Sequence, residues 1–140
     1  LNLNDEDPKH TPATCYSCKS SDNPGLWADM GMAAFDAMTF NEMTPNINNG
    51  IGCANCHEAG TLRLIVTNPA LEEALKAQGK DWTTFTRQEM RTIVCANCHV
   101  EYYFEGDDKY LTFPWVNGTS IEDQIAARVA AGQRELGSDA

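Results

Sequence analysis

The sequence predicts a mainly α chain of short helices and loops whose interior is organised by something other than side chains. Three observations predict it. Cys-x-x-Cys occurs at 15–18, 53–56 and 95–98, and these units take all six cysteines. Helix start and stop signals fall in the intervals between the units, leaving room only for short helices. The units recur but the segments between them do not resemble one another, which excludes a solenoid of stacked repeats.

The elements follow in order. Residues 1–13, "LNLNDEDPKHTPA", are polar with two prolines and predict an extended lead-in. "NPGLWADMGMAAFDAM" predicts a turn and then one helix, with Leu26, Met30, Ala33, Ala34 and Met38 spaced as its apolar face. "TPNINNGIG" is turn-forming and delivers the chain to Cys53, and "TLRLIVT" predicts a short extended segment. "NPALEEALKAQGK" carries a cap at Asn68, proline at the first helical position and Gly79 as a stop. Thr86 stands three residues before Glu89, a capping box that starts a helix at Arg87 running into Cys95. The stretch 119–140 predicts a terminal helix, capped by Ser120 and running from Ile121 to about Arg134, and then a frayed tail.

At 140 residues and 42% hydrophobic composition the chain has single-domain size, with an expected radius of gyration of roughly 14 Å. A net charge of −10 argues against nucleic-acid binding, which needs a basic face. There is no apolar run long enough to span a bilayer. Without a start methionine or signal peptide, the sequence reads as a processed chain or a piece of one.

The chemistry lies in the fifth position of each unit. "CANCH" places His57 and His99 directly after Cys56 and Cys98, whereas "CYSCK" places Lys19 after Cys18. Cys-x-x-Cys-His is the attachment signature of c-type haem. Cysteines three apart on a helical turn face the same way, so both sulfurs reach the vinyl groups of one porphyrin, and the following imidazole reaches the iron. Tethering holds a haem where little protein covers it, so three haems would give this chain its missing interior. A redox Cys-x-x-Cys pair would want a βαβ setting that the chain lacks. Ribbon-like zinc sites space their pairs ~15–20 residues apart, about half the interval here.

Lysine is a poor default iron ligand, because its amine, with a reference pKa of about 10.4, must first lose a proton. Metal coordination and burial both favour the neutral form. Two readings of Lys19 stand at this point: an amine ligand that makes one haem electronically unlike its neighbours, or a surface residue beside a haem ligated by something else. With His57 and His99 committed, His10 is the only spare histidine, and it reads as an ordinary loop residue. Met30, Met32, Met38, Met43 and Met90 could supply thioethers, but core packing is the simpler role for them. Either the irons keep open positions or further ligands come from polypeptide outside this sequence.

"CYSCK", "GCANCH" and "VCANCHVEYYF", followed by "FPW" at 113–115, closely resemble the ammonia-forming cytochrome c nitrite reductases, a family of periplasmic pentahaem enzymes. The resemblance covers Thr14 to Trp115, with "NPALEEALKAQGK" similar to a helix of the family, and little likeness is visible from 119 onward. It implies a trihaem segment of a larger reductase, carrying the first three haem sites of a chain roughly three times longer. Cys15 and Cys18 would hold the active-site haem, with Lys19 as proximal ligand and the other face open to nitrite. The units Cys53, Cys56, His57 and Cys95, Cys98, His99 would hold relay haems whose distal histidines lie outside this sequence. Glu101 by its carboxylate and Tyr102 by its carbonyl would bind calcium, a hard cation that takes oxygen ligands. The Tyr102 hydroxyl would face the distal pocket. From the residues alone, "EYYF" reads as a half-buried aromatic cluster with an exposed acid. The reaction implied is six-electron reduction of nitrite to ammonium. The partners implied are nitrite, a cytochrome or quinol dehydrogenase as electron donor, the rest of the reductase chain, and a second copy in a homodimer. Three rival readings remain: an octahaem nitrite or tetrathionate reductase, a small trihaem electron-transfer cytochrome without substrate, and a zinc-binding structural domain.

Overall fold

The computed structural model describes residues 1–133. Among them, six short α-helices, five 3-10 turns and one two-stranded hairpin carry the regular structure, so the chain is mainly α. Among the described residues no helix is long and apolar enough to cross a membrane.

The lead-in folds back on itself, contrary to the extended path expected of it. Asn2, Asn4 and Asp7 each accept, through a side-chain oxygen, the backbone N–H two residues on. Such Asx turns bend the chain locally, and the Thr11 N–H returns to the Asn2 carbonyl at 2.7 Å.

The single helix expected after the first unit is two helices: α1, Asn23–Met30, and α2, Met32–Asp36. Gly31 between them adopts φ 79° and ψ 154°, a conformation outside the helical region that glycine alone reaches cheaply. The break changes which side chains face inward. Trp27, Met32 and Phe35 are buried, Met30, Ala33 and Ala34 are exposed, and Leu26 and Met38 are half-buried. The Trp27 and Phe35 rings meet across the break, 5.8 Å apart and tilted by 60°.

Helix α3, Phe40–Met43, starts at a capping box of Thr39 and Glu42. The loop that follows is held by one carboxylate. Asp22 accepts from the N–H groups of Asn48 and Asn49 and from the Asn49 amide, at 2.7–2.8 Å. The "TLRLIVT" segment makes only an isolated bridge, His57 with Leu64. Helix α4, Pro69–Ala77, begins at the expected Asn68 cap, whose side chain accepts from the Ala70 N–H. It buries Ala70, Leu71, Ala74 and Leu75. Helix α5, Arg87–Ile93, begins at the expected Thr86–Glu89 capping box and passes directly into the 3-10 turn Val94–Asn97 that holds Cys95.

The hairpin was not expected. Strand β1, Tyr103–Glu105, pairs antiparallel with β2, Tyr110–Thr112, in the register Tyr103 to Thr112. Leu111 then enters the core beside Phe35, Met43, Leu71 and Leu75, and the FPW stretch is buried after it. The last helix, α6, is capped by Ser120 and spans Ile121–Ala130, short of the Arg134 expected. Gly132 follows with φ 73°. Arg134 and the rest of the tail lie outside the described residues.

Candidate functional site

Each Cys-x-x-Cys unit opens in a 3-10 turn, Ala13–Tyr16, Cys53–Asn55 and Val94–Asn97. The turn holds the first cysteine of each unit, and the second, Cys18, Cys56 or Cys98, follows within two residues of its end. All six thiols are free, and the first cysteine of each histidine unit is exposed.

The histidine units close alike. The His57 and His99 N–H groups bond to the carbonyls of Cys53 and Cys95, both at 2.8 Å. The lysine unit differs. The Lys19 N–H bonds to Tyr16, one residue later, and the Cys15 carbonyl accepts the Lys19 Nζ instead, at 2.7 Å. Lys19 is exposed, and its contact in this unit is a single carbonyl of its own turn.

His57 is aimed through its Nδ1, which lies 2.7 Å from the Leu62 carbonyl. If Nδ1 carries the proton, Nε2 is left as a free lone pair, the tautomer a metal ligand needs. Leu62 sits at φ 56°, uncommon for a non-glycine residue. The other non-glycine residue with positive φ is Lys109, also at 56°, and its carbonyl accepts from Thr14 Oγ1 at 2.9 Å. Both strained positions thus present a carbonyl to a Cys-x-x-Cys unit or its immediate neighbour. A cavity of about 540 Å³ opens beside His57, walled by Leu62, Leu64, Trp82, Phe85 and Met90. That is within the roughly 300–1,000 Å³ of cofactor pockets. Paired cysteines, an imidazole held through Nδ1 and a cavity with apolar side chains among its lining fit a c-type haem.

The three units meet one another. The Cys18 thiol lies 3.8 Å from the Asn97 carbonyl of the third unit. The proximity of Cys98, then burial, pushes the Cys18 thiol up, and the proximity of Cys18 pulls Cys98 down against the effect of its own burial. Asn55 and Asn97 join the rest. Asn55 donates to the Ser20 carbonyl at 2.8 Å and accepts the Gly52 N–H at 2.9 Å. Asn97 accepts the Thr67 and Asn68 N–H groups and donates to the carbonyls of Asn55 and Ile65, at 3.0–3.3 Å. Both are nearly inaccessible, at 5% and 2%. The sequence reading passed over them, although the shared "CANCH" did mark both positions. The middle position of the first unit is Ser17, whose buried hydroxyl has no partner.

Beyond the third unit, Tyr102 is 43% exposed. Burial of part of its ring, then the charges of Cys15, Cys18 and Glu101, raise its phenol, so it stays protonated at neutral pH. The hydroxyl is therefore within electrostatic reach of the first unit. The Glu101 carboxylate and the Tyr102 carbonyl come together on one cation, the guanidinium of Arg128 in α6. Its Nη1 donates to Glu101 and, at 3.3 Å, to the Tyr102 carbonyl. Nothing in the sequence pointed to Arg128. Among the described residues no three His, Cys, Asp or Glu side chains converge as a metal site. His10 is a loop residue, its Nδ1 at 2.8 Å from the Asp7 carbonyl. Met32, Met43 and Met90 are core residues.

Comparison with known proteins agrees with this geometry. The family model for cytochrome c552 matches residues 2–135, further at both ends than the motifs alone carried the resemblance. A cytochrome c-552 of Parabacteroides distasonis is 51% identical over 121 residues, 86% of this chain and 24% of that protein. A cytochrome c-552 of Aliarcobacter butzleri is 40% identical over 85% of this chain and 26% of that protein. Among solved structures, a cytochrome c nitrite reductase from Desulfovibrio desulfuricans, described with two calcium sites in its catalytic subunit, superposes with a TM-score of 0.74. It is 40% identical and is matched over 84% of this chain and 26% of its own. The chain thus spans about a quarter of the length of these relatives.

Proposed function

The chain belongs to the cytochrome c552 family, and from that premise we propose that it is the part of a multihaem nitrite reductase that carries the substrate-reducing centre and its first two relays. The observation that carries the proposal is the convergence of the lysine unit, the third unit and Tyr102. The Cys18 thiol lies 3.8 Å from the Asn97 carbonyl of the third unit, and Cys15 and Cys18 lie near enough to Tyr102 for their charges to raise its phenol.

Cys15, Cys18, Cys53, Cys56, Cys95 and Cys98 would hold three haems, with Lys19, His57 and His99 on the irons. Bound haem supplies the iron and the one-electron steps of a six-electron reduction of nitrite to ammonium. The protein residues supply the rest. Lys19 serves as a neutral amine, which requires its Nζ to leave the Cys15 carbonyl and give up a proton. A single exposed contact is weak enough to permit that. Tyr102, held protonated, donates a hydrogen bond or a proton to an oxygen departing from the substrate. The asparagine braces fix the second and third units against the first, so that electrons arriving singly have a short path.

Glu101 and the Tyr102 carbonyl offer a carboxylate and a carbonyl oxygen, donors that suit calcium. Calcium and Arg128 compete for the same two oxygens, so calcium binding in the longer protein moves the guanidinium aside. The remaining calcium ligands, the distal histidines and a homodimer contact belong to the rest of that protein. Its place is the periplasm, and its electron donor a cytochrome or quinol dehydrogenase.

The test is ammonium formed per nitrite consumed by the full-length haem-loaded protein, with a reduced viologen as donor. Stoichiometric ammonium is expected, and the isolated 140 residues should give little or none. A fully loaded protein whose haem spectrum ignores nitrite would be an electron-transfer cytochrome, and the proposal would fall.

A further inference from the structure

The cavity beside His57 carries a positive charge that its apolar side chains do not explain. In a chain of net charge −10 with five arginines in its sequence, three of the five, Arg63, Arg87 and Arg91, line this one cavity. No carboxylate lines it with them. Among the described residues the ion pairs are those of Lys76 and Arg128, and none of the three cavity arginines donates a side-chain hydrogen bond. Arg87 and Arg91 stand four apart on α5, where like charges repel and destabilise a helix. Arg63 comes from the loop that follows the second unit, beside the left-handed Leu62 whose carbonyl fixes His57. Two elements distant in sequence therefore bring three arginines to one cavity that Leu62, Leu64, Trp82, Phe85 and Met90 also line.

The occupant that satisfies this arrangement is flat and apolar over most of its surface, meets an imidazole, and ends in anionic groups. We propose that Arg63, Arg87 and Arg91 bind the two propionates of the haem attached at Cys53 and Cys56. Guanidinium groups match carboxylates with paired, charge-assisted hydrogen bonds. Their positive charge beside the ring favours the reduced iron, which carries one positive charge less, so the same contacts raise the potential of this relay. The inference rests on the haem reading given above and adds to it the residues that orient one haem and tune it.

The test uses the full-length haem-loaded protein and its Arg63→Gln, Arg87→Gln and Arg91→Gln variants, with Arg91→Lys as the charge-keeping control. Intact mass and peptide mapping establish first that Cys53 and Cys56 carry haem. Absence of haem there in the unsubstituted protein would overturn the reading on which the inference rests. With haem present, redox titration should show one component moving to lower potential in each glutamine variant while the others stay. A tenfold loss in the ferrous-to-ferric ratio at fixed potential corresponds to about 59 mV. Arg91→Lys should recover part of the shift. In the unsubstituted protein, that component should hold its potential between pH 5 and 8, because guanidinium-paired propionates remain ionised. Unmoved components in all three glutamine variants, or a potential in the unsubstituted protein that follows pH over that range, would overturn the proposal.

Discussion

The lysine unit and the two histidine units share a spacing but not a way of closing. In the histidine units the first cysteine's carbonyl takes the backbone N–H of the fifth residue; in the lysine unit it takes that residue's side chain. The middle positions diverge as well. Asn55 and Asn97 are buried and bonded through both amide atoms, whereas Ser17 is buried with an idle hydroxyl. The difference teaches that the histidine units double as structural joints. The lysine unit is held from outside, by Thr14 on the Lys109 carbonyl, Asn23 on the Tyr16 carbonyl at 2.7 Å, and the stacking of Tyr16 on Phe40 at 4.1 Å. It contributes little to its own placement, which leaves its fifth side chain free for another task.

The sharpest way to break that comparison is to equalise the units. Lys19→His in the full-length protein should keep covalent haem at Cys15 and Cys18 yet lose most nitrite turnover. Tyr102→Phe, which removes a proton donor, should lower kcat by about 10²-fold. Unchanged steady-state rates in both would show the first unit to be one more relay. Asn97→Ala comes next. It leaves the Thr67 and Asn68 N–H groups without their acceptor, and each buried unpaired donor costs roughly 1–3 kcal/mol. Chemical denaturation should register a loss of about 3 kcal/mol, near the upper end of what one side chain accounts for.

A smaller effect concerns Asp36, which joins α2 to the hairpin through the Leu111 N–H at 2.8 Å and is 1% exposed. Burial pushes its carboxyl up to about 6 from an ordinary 3.8. A folded-state value above the unfolded one means the folded chain binds the extra proton between those two pH values. This group's contribution is therefore greatest at low pH and declines as pH rises towards 6. The stability difference between Asp36→Asn and the parent should shift in the variant's favour between pH 4 and 7 in thermal melts, while no drift would place Asp36 in a wetter site. The smallest effect is Ser17→Ala. It removes a buried hydroxyl without a partner, so stability should change by no more than about 0.5 kcal/mol or rise slightly. A large loss would give Ser17 the bracing role now confined to the asparagines.

What could be read in the sequence was local chemistry. The cap and proline start of α4 and the capping box of α5 stand where Asn68, Pro69, Thr86 and Glu89 announce them, because a cap is settled within one turn of backbone. The cysteine spacing, and the exception at Lys19, were equally plain. Where local spacing ran against a longer-range requirement it failed. Met30, Ala33 and Ala34 form a good helical stripe, but Gly31 breaks the helix and turns Trp27 and Phe35 inward instead. The hairpin escaped notice because strands of three residues carry too little periodicity to read.

By itself, then, the sequence determined three Cys-x-x-Cys units, one of them marked by lysine, since that pattern depends only on residues three or four apart. Which units touch was decided by the tertiary structure alone. Cys18 meets the Asn97 carbonyl, Asn97 meets Asn55, Arg128 meets Glu101, and Arg63 comes to the same cavity as Arg87 and Arg91. Those meetings are set by how α2, α4 and the hairpin bury Phe35, Leu71 and Leu111 in one core. Burial of that kind is non-directional and sums over the whole chain, so no short window of residues could have announced it.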